Sequence, residues 1–131
     1  TLSLHDALPI YNMQHQAAFL GFRRDARDLI QLADAVVLSS DREGFPLVMV
    51  EALQADKAMA STKVNGVVEW LPEPYLAGTG KADELHDAII NALSAQAQAE
   101  FQPLFARAKA ELTVQAMAGQ TLNIYEQLLQ K

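Results

Sequence analysis

Residues 35–55 read AVVLSSDREGFPLVMVEALQA and combine the signal of a strand with that of a helix. The first part, residues 35–38, is an apolar run with two valines, which favours a parallel strand buried on both faces. A polar run at residues 39–43 ends the strand. The tripeptide GFP at residues 44–46 then leads into a helix that we expect to extend to about Ala55, since proline is tolerated in the first helical turn.

The same alternation of strand and helix extends in both directions. Upstream, residues 17–20 (AAFL) indicate the end of a strand closed by a glycine, and residues 25–33 a helix with apolar side chains at helical spacing. Downstream, residues 57–61 are predicted to form a short strand, and the dipeptide Asn65-Gly66 predicts a turn.

The last third of the chain is predicted to be helical. Residues 67–71 are expected to form one or two helical turns that end at the prolines which follow, and Gln102-Pro103 is expected to start a later helix. Three apolar stripes follow helical spacing: Leu85, Ile89, Ala92 and Leu93; Phe101, Leu104, Phe105 and Ala108; and Ala118, Leu122, Tyr125 and Leu129. The third stripe is expected to lie in the core or in a seam between domains.

Alternating strands and helices predict an α/β fold. We expect a Rossmann-like parallel sheet with helices on both faces and a helical C-terminus. The 131 residues suffice for one domain, and half of them are hydrophobic, as in globular proteins.

Composition excludes several classes of function. The formal net charge of −6 argues against a nucleic-acid partner, and the absence of cysteine excludes thiolate metal sites and fits a cytoplasmic protein. The three histidines are scattered without metal-ligand spacing, so no metal site is predicted. No stretch approaches the roughly 20 apolar residues of a membrane span.

The first ten residues, TLSLHDALPI, fit no periodicity and look like a translated sequencing adapter. We expect residues 1–10 to be a non-native leader and the natural sequence to extend further upstream, with residues 11–131 as part of a domain.

Two glutamates carry the chemistry of residues 35–55. Ligands of open parallel sheets bind beyond the carboxyl ends of the strands, which is where Glu43 is expected. Glu51 follows Leu47 by one turn on the same helical face, so it can project toward the same rim. A carboxylate accepts hydrogen bonds from two neighbouring hydroxyls, as in a sugar or ribose, and the helix start attracts phosphate. The alternative is that Glu43 is a solvated cap and Glu51 an exposed side chain.

The string EGFPLVMVEAL, preceded by ADAVVLSS and followed by VNGVVEWL, resembles the donor-binding core of family 4 glycosyltransferases, which have the two-domain GT-B fold. The resemblance covers about residues 19–91. It implies that Glu43 faces the transferred sugar, that Glu51 faces the ribose, and that the intervening backbone lines the sugar and the diphosphate. The predicted donor-binding residues are Glu43, Gly44, Phe45, Pro46, Leu47 and Glu51.

By this resemblance, residues 11–131 are a partial nucleotide-sugar-binding domain from the C-terminal half of a GT-B glycosyltransferase. The parent is expected to transfer sugar from a nucleoside diphosphate sugar, with retention and without a metal or other cofactor, to an unknown carbohydrate or lipid-linked acceptor. The N-terminal domain and the upstream Arg and Lys-Gly are missing, so we assign no catalytic residue here and expect the fragment alone to be inactive. Peripheral membrane association of the parent is an expectation.

The chain departs from the family pattern at two positions. Asp56 replaces a glycine after the helix, where it must tolerate left-handed backbone, and Asn65 replaces the first glycine of a pair. Two alternatives therefore stay open: a noncatalytic Rossmann-like binding module, and another GT-B enzyme such as a nucleotide-sugar epimerase.

Overall fold

The structure is a computed structural model that describes Met13 and residues 15–130. The leader predicted at residues 1–10 lies outside the described residues and stays a prediction. The elements are, in chain order, α1 (Ala26–Leu32), β1 (Val36–Leu38), α2 (Leu47–Gln54), β2 (Met59–Thr62), a 3-10 turn (Glu73–Tyr75), β3 (Leu76–Ala77), α3 (Ala82–Ala92), α4 (Ala95–Glu111) and α5 (Val114–Leu129).

The three strands form one parallel sheet in the order β1-β2-β3. Val36 pairs with Met59, and Thr62 pairs with Ala77. Since parallel strands end at the same edge of a sheet, the loops that follow β1 and β2 lie side by side. The α/β prediction, with its parallel sheet and helical C-terminus, is confirmed.

Strand β2 is the centre of the sheet. Its four side chains are all buried, and because successive side chains point to opposite faces, both faces are covered. Strand β1 is an edge strand within the described residues, and Val37 is 44% exposed. The prediction that this strand is buried on both faces is therefore wrong.

The four largest fully buried side chains lie on two helices, α2 and α4. Met49 and Leu53 on α2 and Phe101 and Phe105 on α4 are almost completely buried. The ring of Tyr75 meets that of Phe101 edge-on, with centroids 4.7 Å apart. Packing of these two helices holds the start of α2 in place beside the sheet.

Two further predictions are wrong. Residues 17–20 form no strand, and all four are exposed. Helix α4 does not start at Pro103 but includes it, because Ser94 caps the helix by accepting a hydrogen bond from the amide of Ala97 at 3.2 Å. The buried phenylalanines on both sides of Pro103 offset the hydrogen bond that a proline removes.

The turns predicted after α2 and β2 are present. Asp56 has φ +57°, which is the left-handed conformation expected at the glycine-like position. The Lys109 ammonium lies 2.6 and 2.7 Å from its two carboxylate oxygens. Residues 64–71 form hydrogen-bonded turns rather than a regular helix, and Trp70 is buried there beneath the Arg107 guanidinium, 4.0 Å from the ring centroid.

Helix α5 has no buried residue. The stripe formed by Leu122, Tyr125 and Leu129 is exposed and is not core. The alternative prediction, a seam between domains, stays a prediction.

Candidate functional site

Glu43 lies in the loop that follows β1, and the neighbouring strand holds it in position. The Ser40 hydroxyl donates a hydrogen bond to Glu43 Oε1 at 2.8 Å. The Thr62 hydroxyl, at the end of β2, donates to the Ser40 carbonyl oxygen at 2.6 Å. Thr62 is only 4% exposed, so the last residue of the central strand fixes the loop that presents the carboxylate.

A second contact joins the two loops. Gly66 has φ +79°, and a Cβ built on it would meet Cδ2 of Phe45 at 2.9 Å and the Gly44 carbonyl oxygen at 3.0 Å. Glycine is therefore required at this position both by the backbone conformation and by the closeness of the neighbouring loop. The 65–66 turn therefore packs directly against the backbone of Gly44 and Phe45.

Glu43 lines an open cavity of about 250 Å³ together with Asp41, Arg42, Lys63, Val64 and Asn65. Two of these side chains are cationic. The Lys63 ammonium lies 2.9 Å from Glu73 Oε2, and this hydrogen bond and the charge of Glu73 raise the pKa of Lys63. Lys63 therefore stays charged at neutral pH.

Glu51 lines a different cavity, of about 150 Å³, with Arg27, Gln31, Gln54 and Ala55. The Arg27 Nε donates to Glu51 Oε1 at 3.1 Å, with side chains 81% and 30% exposed respectively. The structure thus gives each predicted glutamate its own cavity. Their joint action on one ligand stays a prediction.

The residues between the two glutamates differ in their surroundings. Pro46 is buried as the residue before α2, and its carbonyl oxygen accepts from the Met49 amide at 3.1 Å. Gly44 is exposed. The side chains of Phe45 and Leu47, the latter 72% exposed, line an apolar groove of about 430 Å³ between α2 and the start of α5. A donor role for this segment would therefore fall to its backbone.

Arg42 and Lys63 line the Glu43 cavity although neither belongs to the predicted donor-binding set. Lys63 directly follows β2, and the carboxyl ends of neighbouring parallel strands share an edge. The position of Lys63 after a predicted strand was thus the signal in the sequence. Arg42 adjoins Glu43 itself.

In Met13 and residues 15–130, no group of three or more His, Cys, Asp or Glu residues could hold a metal ion. Within the same residues, every helix is too short or too polar to cross a membrane.

The parallel sheet with its helices makes this an α/β domain, and proteins with open sheets of this kind bind ligands at the carboxyl edge, where Glu43 lies. Residues 3–95 match the family described as glycosyl transferases group 1, so the chain belongs to this family. The match includes both predicted glutamates and the 65–66 turn.

Two curated relatives are similar to parts of the chain. One is an N,N'-diacetylbacillosaminyl-diphospho-undecaprenol alpha-1,3-N-acetylgalactosaminyltransferase of Campylobacter jejuni, 36% identical over 74 residues, which are 54% of this chain and 20% of the relative. The other is an N-acetyl-alpha-D-glucosaminyl L-malate synthase of Bacillus anthracis, 27% identical over 85 residues, which are 63% of this chain and 22% of the relative. The chain spans about a fifth of the length of each.

Proposed function

We propose that the chain is the donor-binding part of a glycosyltransferase that uses a nucleoside diphosphate sugar and transfers the sugar with retention. The observation that carries this proposal is the fixed position of Glu43 at the carboxyl edge of the sheet. Ser40 orients the carboxylate, and Thr62 anchors Ser40. A carboxylate held in this way accepts hydrogen bonds from sugar hydroxyls without first losing side-chain freedom.

In this proposal, one donor molecule reaches both cavities. Glu43 would accept hydrogen bonds from the sugar and Glu51 from the ribose, with the diphosphate at the start of α2 between them. From Leu47 to Glu51 the helix advances by about 6 Å, which an extended nucleotide sugar can span. The helix dipole favours an anion at its N-terminus by about 0.3–1 kcal/mol, enough to orient a diphosphate but not to bind it tightly alone.

Arg27 competes with the ribose for the Glu51 carboxylate. Its Nε donates a hydrogen bond to one oxygen of Glu51. An ion pair with one side chain 81% exposed contributes about 0–1 kcal/mol, so hydrogen bonds from a ribose diol can replace it. The Glu51 carboxylate is thus available to the donor.

The acceptor is proposed to be a carbohydrate or a lipid-linked saccharide, bound by parts of the protein outside these residues. The name of the Campylobacter relative contains a diphospho-undecaprenol, which is a lipid-linked group. An acceptor of this kind would bring the parent protein to a membrane surface. Transfer is proposed to need those other parts, so the chain alone would bind the donor without transferring sugar.

The test is a titration of the 131-residue chain with UDP-sugars and GDP-sugars, followed by calorimetry or NMR. We expect Glu43→Gln and Glu51→Gln each to weaken donor binding about tenfold to a hundredfold, since each removes charge-assisted hydrogen bonds. Glu126→Gln, on exposed α5, is the matched control and is expected to bind as the wild type does. Failure of the wild type to bind any nucleotide sugar would contradict the proposal. Equal binding by wild type and Glu51→Gln would remove the ribose assignment.

A further inference from the structure

Two cations reach the Glu43 cavity from two different loops. Arg42 lies in the loop after β1, and Lys63 is the first residue after β2. With Asp41 and Glu43 the cavity holds two acidic and two basic side chains, although the net charge of the whole chain is −6.

The backbone around Lys63 is held on both sides. Its amide donates to the Ala77 carbonyl oxygen at 2.7 Å, and the next amide, that of Val64, donates to the Thr62 carbonyl oxygen at 2.9 Å. The Thr62 hydroxyl in turn fixes the loop that carries Arg42. Both cations therefore extend from anchored backbone at the rim of one cavity.

Both cations are available to a ligand. Arg42 is exposed and makes no ion pair or side-chain hydrogen bond within Met13 and residues 15–130. Among the same residues, Lys63 forms an ion pair with Glu73 alone, and the Glu73 side chain is 77% exposed. Exposed ion pairs of this kind are weak and exchange readily for a better partner.

We propose that Arg42 and Lys63 bind an anionic group of the donor at the edge of the Glu43 cavity, either the phosphate that adjoins the sugar or a carboxylate on the sugar. The planar guanidinium of Arg42 can donate to two oxygens of either group, and Lys63 supplies a compact positive charge from the neighbouring loop. Glu43 lies between them in sequence and accepts hydrogen bonds from the hydroxyls of the same ligand. This inference rests on the proposed function and adds the residues that would select the charge of the ligand.

Probes that carry no base distinguish the two anionic groups. NMR titrations would use inorganic pyrophosphate for the diphosphate, glucuronate for the sugar carboxylate, and glucose as the neutral control. We expect one of the two anions to shift the amide signals of Arg42, Lys63 and Asn65. Any binding of glucose is expected not to depend on Arg42 or Lys63. If pyrophosphate binding depends on Arg42 and Lys63, the diphosphate is their partner. If only glucuronate binding depends on them, their partner is the carboxylate of an acidic sugar.

Four variants make the test specific. Arg42→Ala and Lys63→Ala are each expected to weaken binding of that anion about tenfold, while Arg24→Ala, an exposed arginine outside the cavities described above, is expected to have no effect. Glu73→Gln removes the competing carboxylate and is expected to strengthen binding by up to about fivefold, a gain that a purely structural role of Lys63 would not produce.

Unchanged binding of both anions in Arg42→Ala and Lys63→Ala, or no binding by the folded wild type, would overturn the inference. A nucleotide sugar that still binds in a Glu43-dependent manner would then leave the proposed function standing. Thermal unfolding of each variant separates lost binding from lost folding.

Discussion

Gly66 lies so close to Phe45 that a Cβ on the glycine would be 2.9 Å from the phenylalanine Cδ2. The loop after β2 thus sets the position of the loop after β1 at the point where the candidate site begins. Because the φ of Gly66 is +79°, any other residue would be strained in its backbone as well as crowded.

Gly66→Ala is therefore expected to destabilise the protein by about 2 kcal/mol or more, as strain and steric overlap add. Gly119→Ala is the matched control, because nothing lies within 4 Å of a Cβ there and the residue is inside α5. In a helix that substitution is expected to stabilise by about 0.5–1 kcal/mol. Urea unfolding of both variants measures the difference, and equal stabilities would contradict the tight contact.

Thr62→Val is expected to lower the free energy of unfolding by about 1 kcal/mol, because it leaves the Ser40 carbonyl oxygen without its hydroxyl donor. It should also weaken donor binding, since Ser40 and with it Glu43 lose their anchor. Thr121→Val is the control, because the Thr121 hydroxyl donates to the Met117 carbonyl oxygen of its own helix, far along the chain from Ser40. Unfolding and donor titration of the pair check the prediction, and unaltered donor binding in Thr62→Val would show that Glu43 does not depend on β2.

Asp56 offers a test of backbone strain against an ion pair. Asp56→Asn keeps a residue that tolerates φ +57° but removes the charge that pairs with Lys109, so we expect a loss within about 0.5–1 kcal/mol. Asp56→Ala loses both the ion pair and the tolerance of positive φ. It is expected to lower the free energy of unfolding by about 1 kcal/mol more than Asp56→Asn does. Asp56→Gly loses the ion pair but relieves the strain, which should bring it near wild type. Thermal unfolding ranks the three, and an alanine variant as stable as the glycine variant would contradict the assignment of strain.

Tyr75 should make stability depend on pH in the alkaline range. Burial, together with the hydrogen bond that its hydroxyl donates to Glu100 Oε2 at 2.6 Å, raises the pKa of Tyr75 to about 12. The folded state thus holds this proton more tightly than the unfolded state, whose tyrosine has a pKa near 10. The resulting stabilisation is complete below about pH 10 and is lost as the pH rises toward 12, by up to about 2 kcal/mol.

Tyr75→Phe is expected to remove this part of the alkaline decline, while Tyr125→Phe, on exposed α5, should retain it. Unfolding by urea at a series of pH values from neutral to about 11 makes the comparison. Parallel stability curves for wild type and Tyr75→Phe would contradict the role of the phenol.

The sequence predicted the elements that rely on local signals and missed those that rely on neighbours. The apolar run at 36–38, the GFP helix start and the glycine-like position of Asp56 each carry their cause in adjacent residues, and all are present. The exposure of Val37 and the inclusion of Pro103 in α4 depend instead on what packs beside them, which spacing along the chain does not report.

The same distinction between local signals and packing neighbours applies to the candidate site. The position of Glu43 at the carboxyl edge follows from strand order, and the structure places it there. The partners of the two glutamates, Ser40 for one and Arg27 for the other, could not be read from the sequence, since Arg27 is 24 residues from Glu51. Lys63 was missed although it follows a predicted strand, because the sequence alone does not show that β2 lies next to β1 and brings Lys63 to the same cavity as Glu43.

The anchors of the two loops alternate with the side chains that line the cavity. Thr62 and Gly66 hold the framework, whereas Lys63 and Asn65 between them are exposed on its wall. Replacing an exposed residue between two anchored ones changes the chemistry of the wall at little cost in stability. If the proposed function holds, substitutions at positions 63 and 65 are therefore expected to change ligand preference while the backbone stays the same.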